Sequence, residues 1–159
     1  MDDYEKYLNL TLRFLSFRGR SEKEVRDYLQ KKKAPLEIVD KIIESCREYG
    51  FINDEKFAKD WTTSRSNYRL KSKRIIKLEL MKKGVDREVI DQTINQAATD
   101  GIDDNLQARK LVEKRIGRLR GLTKDEIYRK LVGFLGRRGF DWGTIKTAID
   151  EVLKEEYNK

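Results

Sequence analysis

Of the residues from Thr63 to Lys83, eight are cationic (Arg65, Arg69, Lys71, Lys73, Arg74, Lys77, Lys82 and Lys83), and Glu79 is the only carboxylate among them. A second run, from Asn105 to Gly121, carries Arg109, Lys110, Lys114, Arg115, Arg118 and Arg120 against Glu113 alone. Cations at this density repel one another and cost stability unless something acidic binds them, and no helix end needs so many. The chemistry they offer is attraction of polyanions, above all a phosphate backbone. The whole chain agrees in sign, with 36 Lys and Arg against 28 Asp and Glu and a formal net charge of +8. An acidic protein or an anionic membrane face would also answer such a surface.

Catalytic chemistry leaves little trace. There is no histidine, and the one cysteine, Cys46, sits in the apolar helical pattern "IVDKIIESC", where a buried structural thiol is expected rather than a nucleophile. No glycine-rich phosphate loop, nucleophile elbow or cluster of metal ligands occurs. Asp2 with Asp3, or Asp103 with Asp104, offers paired carboxylates to magnesium, but helix capping is the expected role of these residues. No cofactor is expected. With no long uncharged apolar run and no charged-then-apolar leader, the chain is expected to be cytoplasmic and to avoid membranes.

The elements that position the two cationic runs repeat along the chain. "FRGRSEKEVRDYL" (17–29) returns as "YRLKSKRIIKLEL" (68–80) and "LRGLTKDEIYRKL" (119–131), a spacing of 51 residues both times. Arg18, Arg69 and Arg120 are therefore equivalent, as are Ser21, Ser72 and Thr123, and Leu29, Leu80 and Leu131. A period of this length marks an array of similar units. Lys, Glu, Arg, Leu and Ile fill long windows at helical spacing and Pro occurs once, so the expected class is all-α. Each unit reads as three helices, in the first at about 4–18, 21–32 and 35–49. The units are expected at 1–53, 54–104 and 105–159, arranged as an elongated array that can curve.

Caps and punctuation support that division. Ser21 with Glu24, and Thr123 with Glu126, form the S/T-x-x-E capping box. Ser72 caps without the box. Asp86 and Asp141 open the third helices, Gly50 and Gly101 close them, and Asn53 or Asp54 and Asp103 or Asp104 are expected to cap the next unit's first helix. Leu10, Phe14 and Phe17, and their equivalents Trp61, Tyr68, Val112 and Leu119, are expected on a buried face. The aromatics, Trp142 included, read as core ahead of base-stacking platforms. The third unit carries four extra residues, "VGFL", between Leu131 and its "RRG" loop, which keeps the helical face nearly in phase. The repeated arginine is expected to serve a helix C-terminus, whereas the central cluster is expected to be a binding surface.

The frames "SFRGRSEKEVRDYL", "REYGFINDEKFAKDW" and "RIIKLELMKKGVDREVI" strongly resemble the RecX family, the bacterial regulators of the RecA recombinase. The resemblance covers about residues 5–153, and the third copy is the loosest. It implies tandem three-helix repeats without enzymatic activity, which bind RecA filaments along their helical groove and lower recombinase activity. Some members of the family also contact single- and double-stranded DNA. On that implication Arg65, Arg69, Lys71, Lys73, Arg74, Lys77, Arg109, Lys110, Lys114, Arg115 and Arg118 are the expected contacts to RecA or DNA, without base specificity, and a monomer is expected. A stand-alone architectural DNA-binding protein that uses only phosphate contacts is the alternative.

Overall fold

The computed structural model describes residues 2–159, and among them the ordered elements are all helical. Helices α1 (Asp3–Phe17), α2 (Glu22–Lys31) and α3 (Leu36–Glu48) form the first group. Helices α4 (Asp54–Asn67), α5 (Lys73–Lys82) and α6 (Arg87–Thr99) form the second. Helices α7 (Asp104–Ile116), α8 (Lys124–Arg137) and α9 (Trp142–Tyr157) form the third, with a 3-10 turn, Gly117–Leu119, after α7. The first three helices begin and end within a residue of the positions expected from the apolar spacing and caps.

The chain divides into two compact units, and the dividing line passes through all three helices of the middle group. One unit runs to Trp61 and takes in Glu79–Thr93; the other comprises Thr62–Leu78 and Ile94–Lys159. In the first unit Val25, Leu29, Val39, Ile42, Ile43, Cys46 and Ile52 build the core. In the second, Leu111, Val112, Ile127, Leu131, Leu135, Phe140, Ile145 and Ile149 do so. The repeated Leu29, Leu80 and Leu131 are all fully buried, as their shared place in the frame requires. Each contributes about 2–3 kcal/mol through removal of its side chain from water. Cys46 is buried too, and burial pushes its thiol pKa up, away from reactivity.

Local signals account for the helix starts. Both capping boxes form, Ser21 with Glu24 and Thr123 with Glu126. Ser72 Oγ accepts the N–H of Ile75 at 3.3 Å, and Asp86 and Asp141 accept from Glu88 and Thr144, each at 2.8 Å. The paired acids divide their work. Asn53 and Asp103 cap the helix that follows, accepting from Lys56 and Asn105. Asp54 and Asp104 reach backward, and accept the first N–H of the preceding group's second helix, from Glu22 at 2.9 Å and Lys73 at 3.0 Å. Asp2 caps α1 by accepting from Glu5.

The expected buried face of the first helices needs correction at its ends. Phe17 and Tyr68 are 72% and 82% exposed, whereas Thr11 is buried, its hydroxyl donating to the Tyr7 carbonyl at 2.8 Å. Both aromatics stand in or just past the last turn of their helix, where apolar spacing continues but the chain has begun to turn away. Trp142, beginning α9, is also exposed.

Candidate functional site

The equivalent arginines of the repeat have different surroundings. Arg18 forms a two-pronged ion pair with Glu24, Nη2 to Oε1 at 2.6 Å and Nη1 to Oε2 at 3.2 Å, and Nη1 also donates to the Gly19 carbonyl. Arg18 thus serves the capping box of α2 rather than the carbonyls ending α1. Fifty-one residues on, the position of Glu24 is occupied by Ile75, and among the described residues Arg69 has no carboxylate partner. Its backbone is held instead: Arg138 Nη1 donates to the Arg69 carbonyl at 2.6 Å. The next residue, Leu70, is buried with φ +51°, a left-handed conformation that disfavours a branched side chain and persists only where packing enforces it.

Arg69 opens onto a cavity of about 260 Å³ whose lining is Tyr68, Arg69, Leu70, Leu111, Lys114, Arg115, Arg118, Phe134 and Arg138. Three successive pieces of the third group supply most of it. The last turn of α7 brings Lys114 and Arg115, the 3-10 turn brings Arg118, and the end of α8 brings Phe134 and Arg138. Phe134 packs on the third group's core and carries two guanidiniums, with Arg115 Cζ 4.4 Å and Arg138 Cζ 5.1 Å from its ring centre. The ring's negative face stabilises each of them. No carboxylate lines the cavity, and among the described residues none of its five cations makes an ion pair. Like charges gathered without acids create a strongly positive concavity, where low-dielectric walls concentrate the field.

Of the residues expected from the sequence, the cavity therefore brings together Arg69, Lys114, Arg115 and Arg118. Arg65, Lys71, Lys73, Arg74, Lys77 and Lys110 are exposed or partly exposed and do not line it. Arg74 Nε donates to the Gly139 carbonyl at 3.4 Å. Arg109 stands apart, surrounded by three acids: Glu113 at 2.9 Å, Glu155 at 2.8 Å and Glu151 at 3.5 Å. Its guanidinium pKa is raised by Glu113 and Glu155, foremost through the hydrogen bond that Arg109 Nε donates to the Glu113 carboxylate. It serves as a clasp between α7 and α9.

Sequence reasoning missed Tyr68, Phe134 and Arg138 as members of this concavity. Phe134 belongs to the four-residue insertion, and α8 is four residues longer than α5 as a result. An aromatic in an insertion, four residues before an arginine, was the available signal.

The chain is similar along nearly its whole length to known proteins. Three family models match it: the first three-helix domain of RecX over residues 8–46, the second over 53–94 and the third over 103–149. The regulatory protein RecX of Streptomyces lividans is 32% identical over 155 residues, which cover 98% of this chain and 81% of that protein. The regulatory protein RecX of Listeria innocua is 35% identical over 154 residues, and there the match spans 97% of this chain but 56% of the relative. The crystal structure of RecX from Lactobacillus salivarius superposes with a TM-score of 0.76 at 29% identity, covering 94% of this chain and 96% of that one.

Proposed function

The chain belongs to the RecX family of regulatory proteins, and on that premise we propose that it binds the RecA nucleoprotein filament and restrains recombinase activity. It does so in the cytoplasm, as a monomer and without catalytic chemistry of its own. The proposed contact surface comprises Arg65, Arg69, Lys71, Lys73, Arg74, Lys77, Lys110, Lys114, Arg115 and Arg118, which face phosphates or acidic protein groups without reading bases. Arg109, already neutralised, is left out. The single observation that carries this reading is the set of unpaired cations Arg69, Lys114, Arg115 and Arg118 gathered in one concavity of a RecX-family chain. No helix among the described residues is long and apolar enough to cross a membrane.

The experiment compares inhibition of RecA strand exchange with coating of naked DNA across the same protein concentrations. Inhibition at concentrations where DNA is still uncoated is the expected result. Inhibition that follows DNA coating point for point would replace the regulator with an architectural DNA-binding protein.

A further inference from the structure

We propose that the cavity between α7, the 3-10 turn and the end of α8 is a binding site for the polyphosphate of a free nucleotide, with Tyr68 at its rim as the stacking surface for the base. The inference goes beyond the filament reading and does not depend on it. It rests first on charge density. Arg69, Lys114, Arg115, Arg118 and Arg138 converge on about 260 Å³ with no acid among the lining residues. A phosphodiester strand brings one negative charge per nucleotide, so a space of this size receives about one or two from it. A triphosphate brings three to four into the same space, and matches five cations far better. The planar forks of four arginines also suit the many oxygens of linked phosphates.

The second support is preorganisation. Arg115 and Arg138 are both held against Phe134, and Arg138 is further fixed by its bond to the Arg69 carbonyl, so much of the ordering cost is met before a ligand arrives. Phe134 comes from the segment that the middle group lacks, so this concavity is particular to the third group and is not a by-product of the repeat. The third is Tyr68, a residue 82% exposed that lines the concavity beside the cations. A free aromatic face adjoining a phosphate site is suited to a nucleobase.

The test is calorimetric titration of the full chain with ATP, AMP, adenosine, inorganic tripolyphosphate and the unphosphorylated trinucleotide d(TpTpT). ATP is expected to bind at least tenfold more tightly than AMP or the trinucleotide, tripolyphosphate to retain most of that affinity, and adenosine to show none. R115A/R138A should lower ATP affinity at least tenfold, and K114A/R118A, which alters only exposed or unpaired side chains, should do the same if the first variant unfolds. Y68A should weaken ATP but leave tripolyphosphate unchanged. K31A/K41A, in the first group, removes the same two charges and should leave ATP binding as it was. Equal affinities for AMP and ATP, trinucleotide binding as tight as ATP, or equal losses in K31A/K41A would each overturn the proposal. Because the readout is binding to the protein alone, a failure to restrain RecA has no bearing on it.

Discussion

Lys83 closes the capping box of α2 from outside: its Nζ lies 2.7 Å from Glu24 Oε1, and its carbonyl oxygen accepts a hydrogen bond from Ser21 Oγ at 2.6 Å. Ser21 thereby accepts from the Glu24 N–H while donating to the second group, and Glu24 holds Arg18 and Lys83 together. A cap that is ordinarily a local device has become a joint between consecutive groups. The same place in the next repeat is made differently, with the Ser72 N–H donating to the Arg138 carbonyl at 3.3 Å. Lys83 and Arg138 are equivalent once the insertion is counted, so the loops Lys82-Lys83-Gly84 and Arg137-Arg138-Gly139 serve one structural purpose.

Acid should loosen the first of these joints. Partial burial of Glu24 opposes its ionisation, but hydrogen bonds from Arg18, Lys83 and the Ser21 N–H prevail and hold its pKa at about 2. The folded value is below the ordinary glutamate value of about 4.3, so the folded state favours the charged form. The stabilisation is present above that ordinary value and is lost as the pH falls toward 2. Glu24→Gln should melt lower than the parent at pH 7, with the difference closing near pH 2. Thermal unfolding followed by circular dichroism across this range is the measurement; a difference that does not change with pH would separate the loss from ionisation.

Asp104 has the opposite sign. Burial raises its pKa, and the hydrogen bond from the Lys73 N–H only partly offsets that. A carboxyl whose folded value is raised favours the protonated form on folding, so its contribution weakens as the pH rises through the ordinary aspartate range to the raised value. Asp104→Asn keeps the acceptor oxygen and removes the buried charge. It should match the parent at pH 3 and equal or exceed it in melting temperature at pH 7. Asp104→Ala loses the cap and should cost about 1 kcal/mol. An Asn variant as weak as the Ala variant at pH 7 would show that the charge itself is needed.

These joints mark where the sequence ceases to be readable. Helix number, the capping boxes and the buried leucines were all legible, because each depends on residues within a turn or two of one another or on the 51-residue period. The division of labour between Asn53 and Asp54 was not: both are good caps at adjacent positions, and only tertiary structure decides which helix end each one faces. The burial expected for Phe17 and Tyr68 failed because periodicity locates a helix face but not the point at which its neighbour stops covering it. The cationic runs were plain, yet Arg109 and Arg115 looked alike in sequence. The acids that neutralise Arg109 include Glu151 and Glu155 from α9, more than forty residues away.

Close approach of chain segments makes Gly139 hard to replace. Gly139 has φ +88°, and a Cβ placed there would lie 2.7 Å from Ser72 Oγ and 2.9 Å from Ile75 Cδ1. Gly101 has a similar φ of +93° with nothing within 4 Å of the same point. Gly101→Ala should therefore cost about 1–2 kcal/mol for the left-handed backbone alone, and Gly139→Ala distinctly more. Chemical denaturation of the two variants gives the comparison, and equal losses would mean that the second and third groups yield at this contact without cost.

The repeated arginines supply the sharpest contrast. Arg18 and Arg69 occupy the same place in the frame, but one is paired with Glu24 and the other faces Ile75's position with no acid to meet it. Charge reversal should separate stability from binding at these two sites. Arg18→Glu sets a carboxylate against Glu24, which has 14% of its side chain exposed, and should cost about 1–2 kcal/mol while leaving DNA affinity near that of the parent. Arg69→Glu removes no ion pair, so the melting temperature should change little, while the change of two charges inside the cationic concavity should weaken DNA binding several-fold. The residual binding should also respond less to salt, since the log–log slope is roughly −0.9 for each duplex phosphate neutralised. Melting curves beside DNA titrations at two or more salt concentrations test both halves. If Arg69→Glu binds DNA with the parent's affinity and salt slope, the unpaired arginine is a solvated side chain, and the proposed contact surface loses its central member.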